Sequence, residues 1–228
     1  AKKEVFDNKI TGPIMRSLRH IEVDRDAGAE SFTAACQSLK AGELVGVYPE
    51  ATISRSFEIK DFKSGAARMA IAADVPIVPH IVWGAQRIWT KGHPRKMWRP
   101  KVPISVAVGE PIYPTLPPAE LTALLHTRMQ HLLEQVQDDY GSHPVGEFWV
   151  PHRLGGAAPS LAEANRMDAD EAAAGSAGAL PEAVLPEPQN TSLQLASAPS
   201  CVLTYSCASW VRWVECAPVA LSSVWVLA

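Results

Sequence analysis

The sequence predicts an α/β domain, a mixed sheet flanked by helices, followed by a disordered C-terminal tail. Three observations carry that expectation. Short β-branched runs alternate with stretches of helical period as far as Pro151, the pattern of an α/β layer fold. Leu121, Leu124, Leu125, Met129, Leu132, Leu133 and Val136 form one apolar stripe at helical spacing, which needs a packing surface. After Pro151 the composition changes abruptly.

Taken in order, Ile21–Val23 is a short apolar-polar-apolar run and reads as a strand. Ala29–Lys40 carries Phe32, Ala35, Cys36 and Leu39 at helical spacing, with Gly42 placed to end the helix. Leu44–Tyr48 reads as a buried strand, and Ser64–Ala73 as a helix with Ser64 at its N-cap. Ile77–Trp83 and Val102–Val108 are rich in β-branched residues and read as two further strands. Pro117-Pro118 opens the Leu-rich helix and Gly141 closes it.

The domain is therefore expected over residues 1–153. Residues 154–190, rich in Ala, Pro, Glu and Gly, read as a disordered linker with one short helix near Leu161–Ala174. Residues 191–228 differ again, with three of the four cysteines, three tryptophans and no lysine. We read them as an apolar tail apart from the domain, translated out of frame; a weak membrane-surface segment and plain disorder are the other readings. Arg212 and Glu215 interrupt the run that a membrane helix of ~20 apolar residues needs.

A chain of 228 residues with 47% apolar and 20% charged residues is long and apolar enough to bury a core. Its formal net charge of −3 gives no general case for nucleic-acid binding. Cys36, Cys201, Cys207 and Cys216 form no CxxC pair and no zinc spacing, which points to a reducing compartment and no metal. The chain opens Ala1-Lys2-Lys3-Glu4, with no methionine or targeting pattern, and we read that opening as an internal point of a longer protein.

Chemistry concentrates in three segments. Arg25, at the end of the expected first strand, offers a planar fork of donors to a phosphate. Tyr48-Pro49-Glu50-Ala51-Thr52-Ile53-Ser54 leaves a buried strand through a proline turn, putting a carboxylate, hydroxyls and backbone N–H groups at a strand's C-terminal edge, where α/β sheets hold ligands. Lys63 precedes a helix start, itself a favourable anion site. Arg25, Glu50, Ala51, Thr52, Ser54 and Lys63 are the candidate substrate-binding residues. A surface ion pair, an ordinary turn and a solvated lysine are the plainer readings of the same residues.

These segments, in this order, resemble the motif blocks of the glycerolipid acyltransferases of the 1-acyl-sn-glycerol-3-phosphate acyltransferase type, with an actinobacterial flavour. Asp24-Arg25 is similar to the family's second block. Tyr48–Ser54 is similar to its Phe-Pro-Glu-Gly-Thr-Arg-Ser block, and Val75-Pro76-Ile77-Val78-Pro79 matches its fourth block without change. Phe62-Lys63-Ser64-Gly65 fits a Phe-Lys-x-Gly helix opening also typical of the family. The resemblance covers residues 1 to about 150. It implies an acyltransferase-like fold and transfer of a fatty acyl group from acyl-CoA or acyl carrier protein to a lysophospholipid hydroxyl. It implies no cofactor beyond that co-substrate, and a peripheral place on the cytoplasmic face of the membrane.

Two departures bear on binding: Ala51 stands where the family has glycine, and Ile53 where it has arginine. A third bears on catalysis. The family's first block is His-x4-Asp, the His acting as general base and the Asp orienting it. The residues five positions after the seven histidines are Arg25, Ala85, Trp98, His131, Val136, Phe148 and Ala157, so no pair qualifies. Lys2-Lys3-Glu4 resembles the stretch that follows that block, which implies that the dyad lies just upstream. No catalytic residue is therefore assigned, His20 and His80 being poor substitutes. The expectation is a chain inactive as it stands, with a non-catalytic phospholipid-binding remnant as the rival reading.

Finally, Arg87, Lys91, Arg95, Lys96, Arg99 and Lys101 interleave with Trp89 and Trp98. Cations beside tryptophans suit an anionic lipid interface, so Arg87, Trp89, Lys91, Arg95, Lys96 and Trp98 are the candidate membrane-interface residues. Nucleic acid and a solvated loop are the weaker readings, and no nucleic-acid partner is expected.

Overall fold

The computed structural model describes residues 3–18, 20–22, 28–50, 52–94, 101–177, 211–213 and 222–226. Six α-helices are described: α1 (Lys3–Asp7), α2 (Thr11–Ser17), α3 (Gly28–Lys40), α4 (Gly65–Ala73), α5 (Pro118–Tyr140) and α6 (Leu161–Ala177). Five strands are described: β1 (Leu44–Val47), β2 (Ile77–Trp83), β3 (Ser105–Val108), β4 (Val211–Trp213) and β5 (Ser222–Val226).

The strands form one mixed sheet in the order β3-β2-β5-β1-β4. β1 and β4 run parallel, with Val45 opposite Arg212, while the other neighbours are antiparallel. The mixed α/β fold expected from the sequence is the one observed. Alternation sets its inner face. Val45 and Ile77 both stand opposite Val226, and Ile77, Ile81 and Trp83 are fully buried. Against them lies the stripe of α5, in which Leu121, Leu125, Met129, Leu132, Leu133 and Val136 are all buried. α5 packs on β2 and β3, α3 packs on β1, and α4 contacts both α3 and α5.

Three parts of the sequence reading change. Ile21 and Glu22 have no regular structure, although Ile21 is buried in the core; Val23 lies outside the described residues. Two apolar residues do not make a strand without a partner ladder. Residues 161–177 form a helix three residues longer than the short one expected over Leu161–Ala174. Its start is a capping box: Ser160 Oγ accepts the Glu163 N–H at 3.4 Å, and the Glu163 carboxylate accepts the Ser160 N–H at 2.9 Å.

The third change concerns the tail. Residues 191–228 were read as apart from the domain, yet two of their segments pair in the sheet. β5 lies between β1 and β2, its Ser-Ser-Val-Trp-Val sequence supplying the β-branched and aromatic residues that fit a pleated surface. The remainder of 178–228 lies outside the described residues.

The chain divides into two compact units. One comprises Ala1–Ala164 and Ser209–Ala228 and contains the sheet; the other is Asn165–Ala208, whose described part is residues 165–177 of α6.

Candidate functional site

The loop that follows β1 is closed on itself. β1 ends at Val47, and the Pro49 carbonyl accepts the Lys63 N–H at 2.9 Å, so residues 50–62 are tied off at one point. Inside this loop polar groups are buried and paired. The Glu50 carboxylate accepts the Lys60 backbone N–H at 3.4 Å, and the Lys60 ammonium donates to Thr52 Oγ1 at 3.3 Å. Ser54 Oγ donates to the Glu58 carbonyl at 2.8 Å and lies 3.0 Å from Ser56 Oγ, which in turn accepts the Glu58 N–H at 3.3 Å. Phe57, at φ +57°, is held in the left-handed region by this turn and by burial of its ring. Glu58 forms an ion pair with Arg153 at 3.3 Å, and Arg153 also donates to Gln137.

The sequence-predicted site residues fall out as follows. Glu50 is buried and Thr52 exposed, the latter tied to Lys60. Ser54 is buried, and its hydroxyl proton is used inside the loop. Lys63 is exposed at the foot of the loop. Arg25 and Ala51 lie outside the described residues. Sequence reasoning missed Lys60, because a contact spanning ten residues of irregular chain has no local signature. A separate open cleft of about 450 Å³ is lined by Arg16, His20, Ile21, Glu22, Glu30, Ser31 and Ala34. It collects a guanidinium, an imidazole and two carboxylates that were not connected in advance.

In the expected membrane loop Arg87 is half-buried: its guanidinium stacks over Trp149 at 4.4 Å and donates to Tyr140 Oη at 2.7 Å, which donates onward to the Pro103 carbonyl at 3.0 Å. Gly84, at φ +98°, makes this possible, since a Cβ there would stand 2.3 Å from the Pro103 oxygen. Trp89 and Lys91 are half-buried, while Arg95, Lys96 and Trp98 lie outside the described residues.

Two histidines are held neutral. Burial, the larger influence, pushes His80 down to about 4, opposed by a hydrogen bond with the Val78 backbone. Burial and then Arg153 lower His143, against Asp138, and its Nε2 accepts the Trp83 indole N–H at 3.1 Å.

A family model described as Acyltransferase matches residues 1–83. That segment, a little over a third of the chain, is similar to the family. Over 146 residues it is 27% identical to a 1-acyl-sn-glycerol-3-phosphate acyltransferase of Bacillus subtilis, covering 60% of this chain and 67% of that protein. Over 120 residues it is 37% identical to a protein of the same name from Limnanthes douglasii, covering 49% of this chain and 40% of the relative. A crystal structure of the 1-acyl-sn-glycerophosphate (LPA) acyltransferase PlsC from Thermotoga maritima is similar at 22% identity and a TM-score of 0.49, over 63% of this chain and 57% of that one. The chain thus spans about two fifths of the Limnanthes relative's length. The β1 loop, the Phe62–Gly65 helix opening and the whole of β2 fall within the matched segment.

Proposed function

We propose that this domain serves acyl transfer to lysophosphatidic acid in phospholipid synthesis, supplying the acceptor site. The observation that carries the reading is the tied loop from Pro49 to Lys63, which bears the Pro-Glu-x-Thr-x-Ser block at the C-terminal end of β1. In this reading Arg25 and Lys63 hold the phosphate of the acceptor, beside the Glu50–Ser54 loop. The acceptor's free hydroxyl attacks the thioester carbonyl of acyl-CoA or acyl carrier protein; the C–O bond forms, the C–S bond breaks, and the proton lost by the hydroxyl ends on the departing thiol. The names of the relatives support the substrate class.

Neither His80 nor His143 is a good base for that step. His80 at about 4 is neutral at pH 7 but a weak proton acceptor, and His143 Nε2 already accepts a hydrogen bond from the Trp83 indole N–H. We therefore expect the chain to bind lysophosphatidic acid without turning it over.

Titration calorimetry with lysophosphatidic acid, beside thiol release from acyl-CoA, tests both halves. The expected result is phosphate-dependent binding, weakened about tenfold or more by Arg25→Ala or Lys63→Ala, with no thiol release. Binding that ignores both cations sinks the acceptor-site reading. Thiol release abolished by Arg25→Ala instead places a base in this chain, with His20 the next residue to replace. Binding without turnover is also what the phospholipid-binding remnant predicts; restoring an upstream His-x4-Asp segment separates the two, since only the enzyme reading gains activity.

A further inference from the structure

β3 ends the sheet, and among the described residues no strand pairs with the side it turns away from β2. The register fixes which backbone groups point that way. Gly109 donates its N–H to the Pro79 carbonyl at 2.8 Å, and in the same register Ala107 and Ser105 stand opposite Ile81 and Trp83. Bonded pairs in an antiparallel ladder alternate with unbonded ones, so Ser105, Ala107 and Gly109 hold β3 to β2. Ile104, Val106 and Val108 therefore aim their N–H and C=O groups outward. Their side chains also share one face of the strand, and they are 48%, 60% and 65% exposed.

An open edge of β-branched residues is a template for another strand, since an extended chain returns the row of donors and acceptors. The pattern along β3 selects the strand. Residues 102–109, Val-Pro-Ile-Ser-Val-Ala-Val-Gly, carry no charge, while Lys101 precedes them and Glu110 follows, both exposed. Laid antiparallel to itself about Val106, this segment sets Ile104 against Val108, Ser105 against Ala107, and Val106 against its own copy. The outer-face pairs are then all β-branched and the inner-face pairs all small, and the Lys101 end meets the Glu110 end. The outward N–H and C=O groups of residues 104, 106 and 108 fall opposite one another as bonded pairs. A parallel copy would instead oppose Lys101 to Lys101 and Glu110 to Glu110. A strongly charged partner finds no counter-charge along the edge, whereas a second copy completes its pattern. Pro103 has no N–H to give, and Glu110 and Pro111 stand against Val78 alone before Ile112 bridges Ile77, so pairing stops at both ends.

We infer that β3 is a self-association edge: two copies of this chain pair through residues 104–108 about a two-fold axis at Val106, continuing the sheet from one protomer into the other. The same patch serves both sides, so the contact closes at two copies. Five residues a side make a small interface, and the dimer is a dissociable one. β2 and β5 stand between β3 and β1, so each protomer keeps its own loop after β1. The contact does not depend on what that loop binds.

Sedimentation velocity of the full chain, loaded from about 1 to 100 μM, tests it. The mass is expected to rise from one copy towards two with concentration. Val106→Lys and Val106→Glu are each expected to stay monomeric over that range, because the two-fold axis sets like charges directly opposite. Both should keep the parent's unfolding midpoint, since Val106 is mostly solvated in the single chain. An equal mixture of the two variants is expected to dimerise again, at least tenfold more tightly than either alone. That rescue belongs to a symmetric contact centred on Val106 and cannot come from misfolding. A parent that remains monomeric at the highest loading overturns the proposal. So does a dimer that both variants retain, a mixture that stays monomeric, or growth past two copies. Where a charge at 106 lowers the midpoint, Ile104→Lys mixed with Val108→Glu runs the same test at the neighbouring pair, and failure of that mixture to dimerise overturns the proposal equally.

Discussion

Glu50 is a carboxylate taken out of water at the end of a strand, accepting the backbone N–H of Lys60. Such a group stabilises the loop only while its partners remain, because a buried N–H left without an acceptor costs about 1–3 kcal/mol. Glu50→Ala should therefore lower the free energy of unfolding by about that amount, read from denaturant midpoints, even though Glu50 was singled out as a ligand-binding residue. His80 makes a prediction of the opposite kind. Its folded-state value of about 4 lies below the ordinary 6.5, so the unfolded chain takes up the proton first. Its contribution is complete above about pH 6.5 and disappears as pH falls towards 4, a loss of at most about 3 kcal/mol. Thermal midpoints measured across that window should fall less steeply in His80→Gln than in the parent.

Legibility at this scale follows locality. Glu50 and Thr52 were found because proline and strand neighbours announce the turn, whereas Lys60 and the stacking of Arg87 on Trp149 join residues far apart in the chain. Sequence shows the charge of Arg87 and not the ring it stacks on.

Among the elements, β2 and α5 were the most readable. Ile77–Trp83 is an unbroken β-rich run, and the α5 stripe repeats long enough for its period to show. α1 and α2 went unseen because they are five and seven residues long and the second contains Gly12-Pro13, a pair that argues against a helix except in its first turn. α6 was read too short, although Ser160-Leu161-Ala162-Glu163 is a capping signature present in the sequence. Ser160→Ala should destabilise that helix start by about 1 kcal/mol. Hydrogen exchange should then quicken in the first turn of α6 and remain unchanged in α5.

For the whole molecule, the sheet order is the feature that sequence could not show. β1 and β2 were both expected, but nothing in their composition says that a segment starting at Ser222 comes between them. Removing residues 209–228 deletes β4 and β5 together, exposing the inner edges of β1 and β2. The shortened chain should lose its cooperative thermal transition or unfold at a much lower denaturant concentration. An unchanged midpoint would mean that β1 and β2 are held by α3 and α5 alone.

That strand order also sets a timetable. β1 is complete once Val47 is made and β2 once Trp83 is made, yet the strand that bonds to both ends at Val226. During translation, at roughly 5–20 residues per second, the two early strands wait several seconds with open ladder edges. A sheet whose middle piece arrives last closes over a long loop, which slows folding and exposes the nascent chain to edge-to-edge association. Synthesis in the presence of a chaperone that shields strand edges should therefore raise the soluble yield of this chain more than refolding conditions alone would suggest.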